Sequence, residues 1–215
     1  KEHRVEHQLR ILDKLSCKYD KDNAKPSIVG IDLDHVIKKF PIENDYVVMC
    51  PTNSHVGNQN HRGYRSWPDN NWKDLISRVL SETSLKIILV GSKNEKKYFN
   101  TFYPLKERTY DLSGQTTIPE LITIMKNSKC VITTDSGSAH IAGASAKNII
   151  SIHGPTNFYQ SAPYSTKYND VKVATLNLKC SPCYDTEAIK NCKKNICMQD
   201  LNAETVMGLM AELSL

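Results

Sequence analysis

Asp135-Ser136-Gly137-Ser138-Ala139-His140 is a run of residue types suited to holding an anion. The apolar run Cys130–Thr134 leads into it as a strand, and a helix begins near Ser138 and continues to Ala146. The first N–H groups of a helix have no internal partners, and the helix dipole puts partial positive charge there. Phosphate oxygens suit that position. Gly137 lets a ligand approach the backbone, Ser136 adds a hydroxyl, and His140 in the first turn points at the same oxygens. The plainer outcome, a capped turn in which Asp135 or Ser136 only serves the backbone, fits these residues as well.

Other segments carry similar chemistry to the ends of their strands. Tyr46–Cys50 is followed by Pro51, Thr52, Asn53 and Ser54, with Arg65 further on. Leu85–Val90 is followed by Gly91, Ser92 and Glu95, and Asn148–Ile152 by His153, Gly154, Pro155 and Thr156. Open parallel sheets bind ligands beyond these carboxyl ends. Taken alone, Arg65 and Glu95 read as surface charge. Neither G-x-G-x-x-G nor G-x-x-x-x-G-K-[ST] occurs, which argues against an ordinary dehydrogenase or P-loop NTPase.

Four of the seven cysteines crowd together as Cys180-x2-Cys183-x8-Cys192-x4-Cys197. This spacing admits a tetrahedral zinc site, one or two disulfides, or packed free thiols, and the three readings stay open. Cys17, Cys50 and Cys130 stand singly in apolar surroundings, where a thiol behaves as a small hydrophobe. His3 and His7, at i and i+4 among Glu2, Arg4 and Glu6, are expected on a solvated helix face rather than on a metal.

Positioning these groups requires alternating strands and helices. Residues 2–15 read as a helix with Val5, Leu9, Leu12 and Leu15 on one side, beginning without a cap, like a connector. Pro68–Glu82 is a helix with the stripe Trp72, Leu75, Ile76 and Val79, and Ile118–Asn127 is another. A lysine-rich helix is expected after Gly91, and Asp111-Leu112-Ser113-Gly114 ends a strand. Val171–Thr175 reads as a strand, and Asn202 caps a final helix carrying Val206, Leu209, Met210 and Leu213. Near-continuous apolar strands separated by helices indicate a Rossmann-like parallel sheet with helices on both faces. The divisions expected are a connector helix over 1–20 and a ligand-binding domain over 21–215, with a cysteine-rich loop at 178–200 and a last helix at 202–213.

The composition, 40% hydrophobic and 24% charged, is that of a soluble globular protein, and no apolar run is long enough for a membrane span. The net charge of +5 comes from scattered lysines, which argues against nucleic-acid binding but suits an anionic ligand. An odd cysteine count without a leader favours a cytoplasmic setting over a secreted disulfide scaffold.

The ordered series Pro51-Thr52-Asn53, Arg65-Ser66-Trp67-Pro68, Trp72, Val90-Gly91-Ser92, Asp111-Leu112-Ser113-Gly114, Asp135-Ser136-Gly137-x-x-His140 and Gly154-Pro155-Thr156 resembles the C-terminal half of glycosyltransferase family 9. That family includes the ADP-heptose:lipopolysaccharide heptosyltransferases. The resemblance implies the donor-binding half of a two-domain GT-B enzyme whose N-terminal acceptor domain is not in this sequence. It implies donor contacts at Thr52, Asn53, Arg65, Glu95, Thr116, Thr117, Asp135, Ser136, Gly137 and His140. Arg65 occupies a cationic position that is lysine in heptosyltransferases, Glu95 falls near the residue holding the ribose, and Gly114–Thr117 matches the turn beside the base. An inverting transfer without metal or other cofactor is implied, with ADP-heptose as donor and a lipopolysaccharide-type acceptor. The general base belongs to the absent domain, so this half alone is expected to be inactive. Any association with the inner membrane would come through the full-length protein. The alternatives are another nucleotide sugar or a non-catalytic nucleotide-binding module.

Overall fold

The computed structural model describes residues 2–20, 26–42, 45–52, 63–96, 99 and 108–215. Its frame is a six-stranded, wholly parallel sheet. The strands are β1 (Tyr46–Cys50), β2 (Lys86–Leu89), β3 (Thr109–Asp111), β4 (Cys130–Thr134), β5 (Asn148–Ile152) and β6 (Asp170–Ala174), in the order β3-β2-β1-β4-β5-β6. The strand order reverses between β1 and β4, which pair in register from Val47 with Cys130 to Cys50 with Thr133. Such a switch point opens a crevice beyond the strand ends.

β1 and β4 are buried along their whole length because helices cover both faces. The pleat sends Val47 and Met49 to one face and Tyr46, Val48 and Cys50 to the other. On the first face lie α3 (Asp69–Glu82) and the last helix, α8 (Ala203–Glu212). The predicted stripe Trp72, Leu75, Ile76 and Val79 is buried there. Trp67 joins the two elements: its ring meets Trp72 edge-on at 4.9 Å and its indole N–H donates to Leu201 O at 2.7 Å. The predicted cap of α8 is present, with Asn202 Oδ1 accepting from Thr205 N at 3.0 Å.

The second face is covered by α2 (Leu33–Lys39), α4 (Ile118–Lys126) and α5 (Gly137–Ser145). Thr117 and Glu120 form a capping box at the start of α4. Lys39 of α2 donates to Glu120 Oε1 at 2.7 Å and to Gln115 O at 3.3 Å. The Lys39 bond and the Thr117 donors pull the buried Glu120 carboxyl down to about 2. The chain closes with the short helix α6 (Phe158–Ser161), a 3-10 turn at Glu187–Asn191 and α7 (Ile196–Gln199). Among the described residues no helix is long and apolar enough to cross a membrane.

Three sequence expectations change. The first helix, α1, runs Arg4–Lys14 and does have a cap: His3 Nδ1 accepts from Val5 N at 3.1 Å. His3 is therefore not on a solvated face, since its Nε2 also pairs with Ala162 O at 2.9 Å and its ring lies 4.9 Å from Tyr164. Cys17 is exposed rather than packed, because it follows the end of α1 and no element among the described residues covers it; Cys50 and Cys130 are buried as expected. Helix α2 had no sequence signal, because Val36 is its one buried residue. Most of the lysine-rich helix expected after Gly91 lies outside the described residues.

Candidate functional site

β4 delivers Asp135, buried at its carboxyl end, and the chain turns directly into α5. Ser136 is the N-cap residue in extended backbone, but its side chain makes no capping bond. Its hydroxyl instead meets Thr133 Oγ1 at 3.3 Å. Ala139 N donates to Ser136 O at 3.1 Å, and no side chain caps the first turn of α5, the kind of helix start at which an anion binds. A Cβ added to Gly137 would meet nothing within 4 Å, so the space above it is open.

Arg65 reaches this turn from the loop before Trp67. Its Nη1 stands 3.7 Å from Asp135 Oδ2, and its guanidinium lies over the Tyr184 ring, 5.1 Å from the centroid. Tyr184 is held there by its loop: Cys183 N and Tyr184 N both donate to Pro155 O, at 2.8 and 3.0 Å. The groups enclose a cavity of about 260 Å³ whose walls include Arg65, Asp135, Gly137, His140, Thr156 and Tyr184. A planar, always-charged guanidinium beside open helix N–H groups suits a diphosphate.

One histidine, His140, borders the cavity, and a second, His153, is buried behind Thr156 of its wall. His140 has its pKa lowered from 6.5, chiefly by the protein packed around it; Asp135 opposes the shift, and His3 and Arg4 add to it. His153 is fully buried, with Nε2 2.9 Å from Ser151 Oγ and Nδ1 3.2 Å from Thr156 Oγ1. Burial pushes its imidazole down to about 4, against the pull of Asp135 and with help from His140 and Arg65. Above that pH His153 is neutral and links the sheet to a hydroxyl on the cavity wall.

The cavity therefore unites Arg65, Asp135, Ser136, Gly137 and His140. Thr52 is buried just beyond β1, at the switch point. Asn53 lies outside the described residues. Glu95, Thr116 and Thr117 sit on the far side of β1, past β2 and β3. There Gly114 N donates to Gly91 O at 2.8 Å, and Ser92 N donates to the Glu95 carboxylate. The polar groups of Thr117 all serve α4: its N–H and hydroxyl meet Glu120 Oε2 at 2.7 and 3.0 Å, and its carbonyl accepts from Leu121 N. Thr116, half-buried before the cap, is the member of that pair with groups to spare. Sequence reasoning missed Tyr184 and Arg4, which reach the cavity through tertiary packing and carry no local motif. Cys180, Cys183, Cys192 and Cys197 are free thiols, and among the described residues no three His, Cys, Asp or Glu side chains are arranged to hold a metal ion.

Comparison with known proteins adds four findings. The family model described as glycosyltransferase family 9 (heptosyltransferase) matches residues 1–194. Lipooligosaccharide heptosyltransferase 2 of Campylobacter jejuni is 33% identical over 138 residues, covering 61% of this chain and 42% of that relative. The family 9 glycosyl transferase of Veillonella parvula superposes with a TM-score of 0.74 at 14% identity, covering 99% of this chain and 60% of that one. Escherichia coli heptosyltransferase WaaC, solved with ADP, superposes with a TM-score of 0.63 at 18% identity, covering 99% of this chain and 57% of that one. The curated relative is thus matched over less than half its length.

Proposed function

Since the chain belongs to glycosyltransferase family 9, we propose that it is the donor-binding part of a heptose-transferring enzyme, taking ADP-heptose and serving a lipopolysaccharide or lipooligosaccharide acceptor. The observation that carries this reading is the cavity where Arg65 faces the start of α5, which no side chain caps. The structural likeness to a heptosyltransferase solved with ADP supports the choice of nucleotide.

In this reading the diphosphate lies between Arg65 and the first N–H groups of α5, with Ser136 and His140 at its edge. Thr52 and Asn53 line the approach from β1. Glu95 and the Gly114–Thr117 turn lie toward the ribose and base, with Thr116 offering the contacts Thr117 has committed to its helix. An acceptor hydroxyl oxygen attacks the anomeric carbon, the bond from that carbon to the diphosphate oxygen breaks with inversion, and ADP leaves. The hydroxyl proton goes to a base on a second domain outside residues 1–215. This chain's part is to stabilise charge growing on the departing diphosphate, with donors already in place before the bond breaks. Arg65 supplies the positive charge, so the reading needs no metal. We place the reaction in the cytoplasm, with residues 2–20 leading to the acceptor domain and any contact with the inner membrane made by the complete protein.

The test is transfer by the complete gene product from ADP-heptose to a heptose-deficient lipooligosaccharide. Product formed from ADP-heptose, and lost in Arg65→Ala, is the expected result. Equal or better transfer from a UDP- or GDP-sugar would overturn the choice of donor.

A further inference from the structure

The donor cavity does not end at His140. Its wall includes Arg4 and Gln160, and both also line a neighbouring hollow of about 390 Å³ together with Glu2, His7 and Arg10. A third hollow of about 240 Å³ continues from His7 and Arg10 to Ile11 and Lys14. Shared wall residues set the three side by side. Arg4, His7, Arg10 and Lys14 recur at helical spacing, so one face of α1 forms the floor of this track. From Arg4 to Lys14 the helix has 11 residues and rises about 15 Å, well beyond the reach of a single phosphate.

We propose that this face of α1 is a second anion-binding subsite, and that it takes phosphate groups on the saccharide acceptor. The inference rests on the donor reading, because it uses the track's place beside the donor cavity to name the occupant. Any acceptor that attacks a sugar held at Arg65 must come to the mouth of that cavity, and α1 forms one side of the mouth. The N-terminal end of α1 is anchored there by His3, through Ala162 O and the Tyr164 ring.

The charge balance favours an anion. Among the described residues Glu2 is the one carboxylate lining the two hollows beyond the donor cavity, whose own wall holds Asp135 and Asp185, and it pairs with Arg10 at 2.6 Å. Exposed pairs of this kind contribute little, so an incoming phosphate displaces Glu2 at small cost. Glu6 faces another hollow, beside Phe158 and Tyr164. Among the described residues no carboxylate pairs with Arg4, His7 or Lys14. A membrane surface fits less well. Among the apolar residues of α1 and its C-cap only Ile11 and Leu15 are largely exposed, a small area for burial in a bilayer.

The experiment uses the full 215-residue chain and the double variant Arg10→Gln/Lys14→Gln, whose positions lie outside the donor cavity. α1 has no buried residues, so the fold should be unaffected, and the melting temperature checks this. The probes are a phosphate-bearing oligosaccharide, the same oligosaccharide after phosphatase treatment, ADP, and vesicles of phosphatidylglycerol with phosphatidylethanolamine. The phosphorylated oligosaccharide should bind at least about tenfold more tightly than its dephosphorylated form, and the double variant should lose about tenfold, as two charge-assisted contacts would give. ADP affinity should be unchanged in the variant. Equal binding of the two oligosaccharides, or no difference between wild type and variant, would overturn the subsite. Charge-dependent capture on vesicles without oligosaccharide preference would overturn it in favour of a membrane-facing role. If wild type failed to bind ADP, the donor reading would fall, while the oligosaccharide comparison would still decide the subsite.

Discussion

Arg65 is held from two sides, by Asp135 Oδ2 at 3.7 Å and by the face of Tyr184 at 5.1 Å. A flexible cation is thereby set before any ligand arrives, and less side-chain entropy is lost on binding. The two supports come from distant parts of the chain, the end of β4 and the cysteine loop.

Tyr184→Leu keeps most of the buried area but removes the aromatic face. A cation–π contact at a part-exposed site is worth about 0.5–1 kcal/mol, so ADP affinity should fall about two- to fivefold. Titration calorimetry reads the change, and an unchanged melting temperature separates it from loss of fold. Undiminished affinity would mean that the Tyr184 ring does not position Arg65.

The lowered pKa of His140 makes it neutral at pH 7. A bound diphosphate favours the protonated form, so by linkage its affinity should rise as pH falls through the titration of His140. ADP itself titrates nearby, so wild type must be compared with His140→Gln. The wild-type curve should steepen on the acid side relative to the variant, and parallel curves would remove His140 from the phosphate site.

His153 gives the opposite sign for stability. Its folded pKa of about 4 lies below the ordinary 6.5, so between these values the unfolded chain binds more protons. Stability therefore rises with pH across that window, and it declines as pH falls from 6.5 toward 4. His153→Gln retains hydrogen-bonding groups and does not titrate. Its melting temperature should fall less than that of wild type between pH 7 and pH 4.5, and equal slopes would contradict the assignment.

Much of the framework was legible in the chain. The runs Tyr46–Cys50, Cys130–Thr134 and Asn148–Ile152 announced buried parallel strands, and Asn202 announced its cap, because these are local signals. Asp135–His140 was legible as a seat for an anion. Whether its helix was capped was not, because that turns on whether the Ser136 hydroxyl bonds backward to Thr133 or forward to the helix. His3 misled for a related reason: its partner, Ala162, is distant in sequence. Tyr184 is placed by backbone bonds to Pro155, which no residue pattern records. Thr117 carries a recognisable capping-box pattern with Glu120, and that role competes with the ligand contact the family resemblance implied.

The thiols divide by exposure. Cys17 and Cys180 are open to solvent, whereas burial pushes Cys50 and Cys130 up to about 12. Alkylation of the native chain followed by mass spectrometry should label the first pair early and leave the second pair until unfolding. Early labelling of Cys50 would show that the end of β1 opens in the native state.

The most direct test of the donor site is calorimetry of the 215-residue chain with ADP, UDP and GDP, repeated on Arg65→Ala. The account predicts one ADP per chain, weaker binding of UDP and GDP, and a loss of about ten- to a hundredfold in Arg65→Ala, the worth of a hydrogen bond to a charged group. Binding of none of the three nucleotides, or ADP binding indifferent to Arg65, would contradict it.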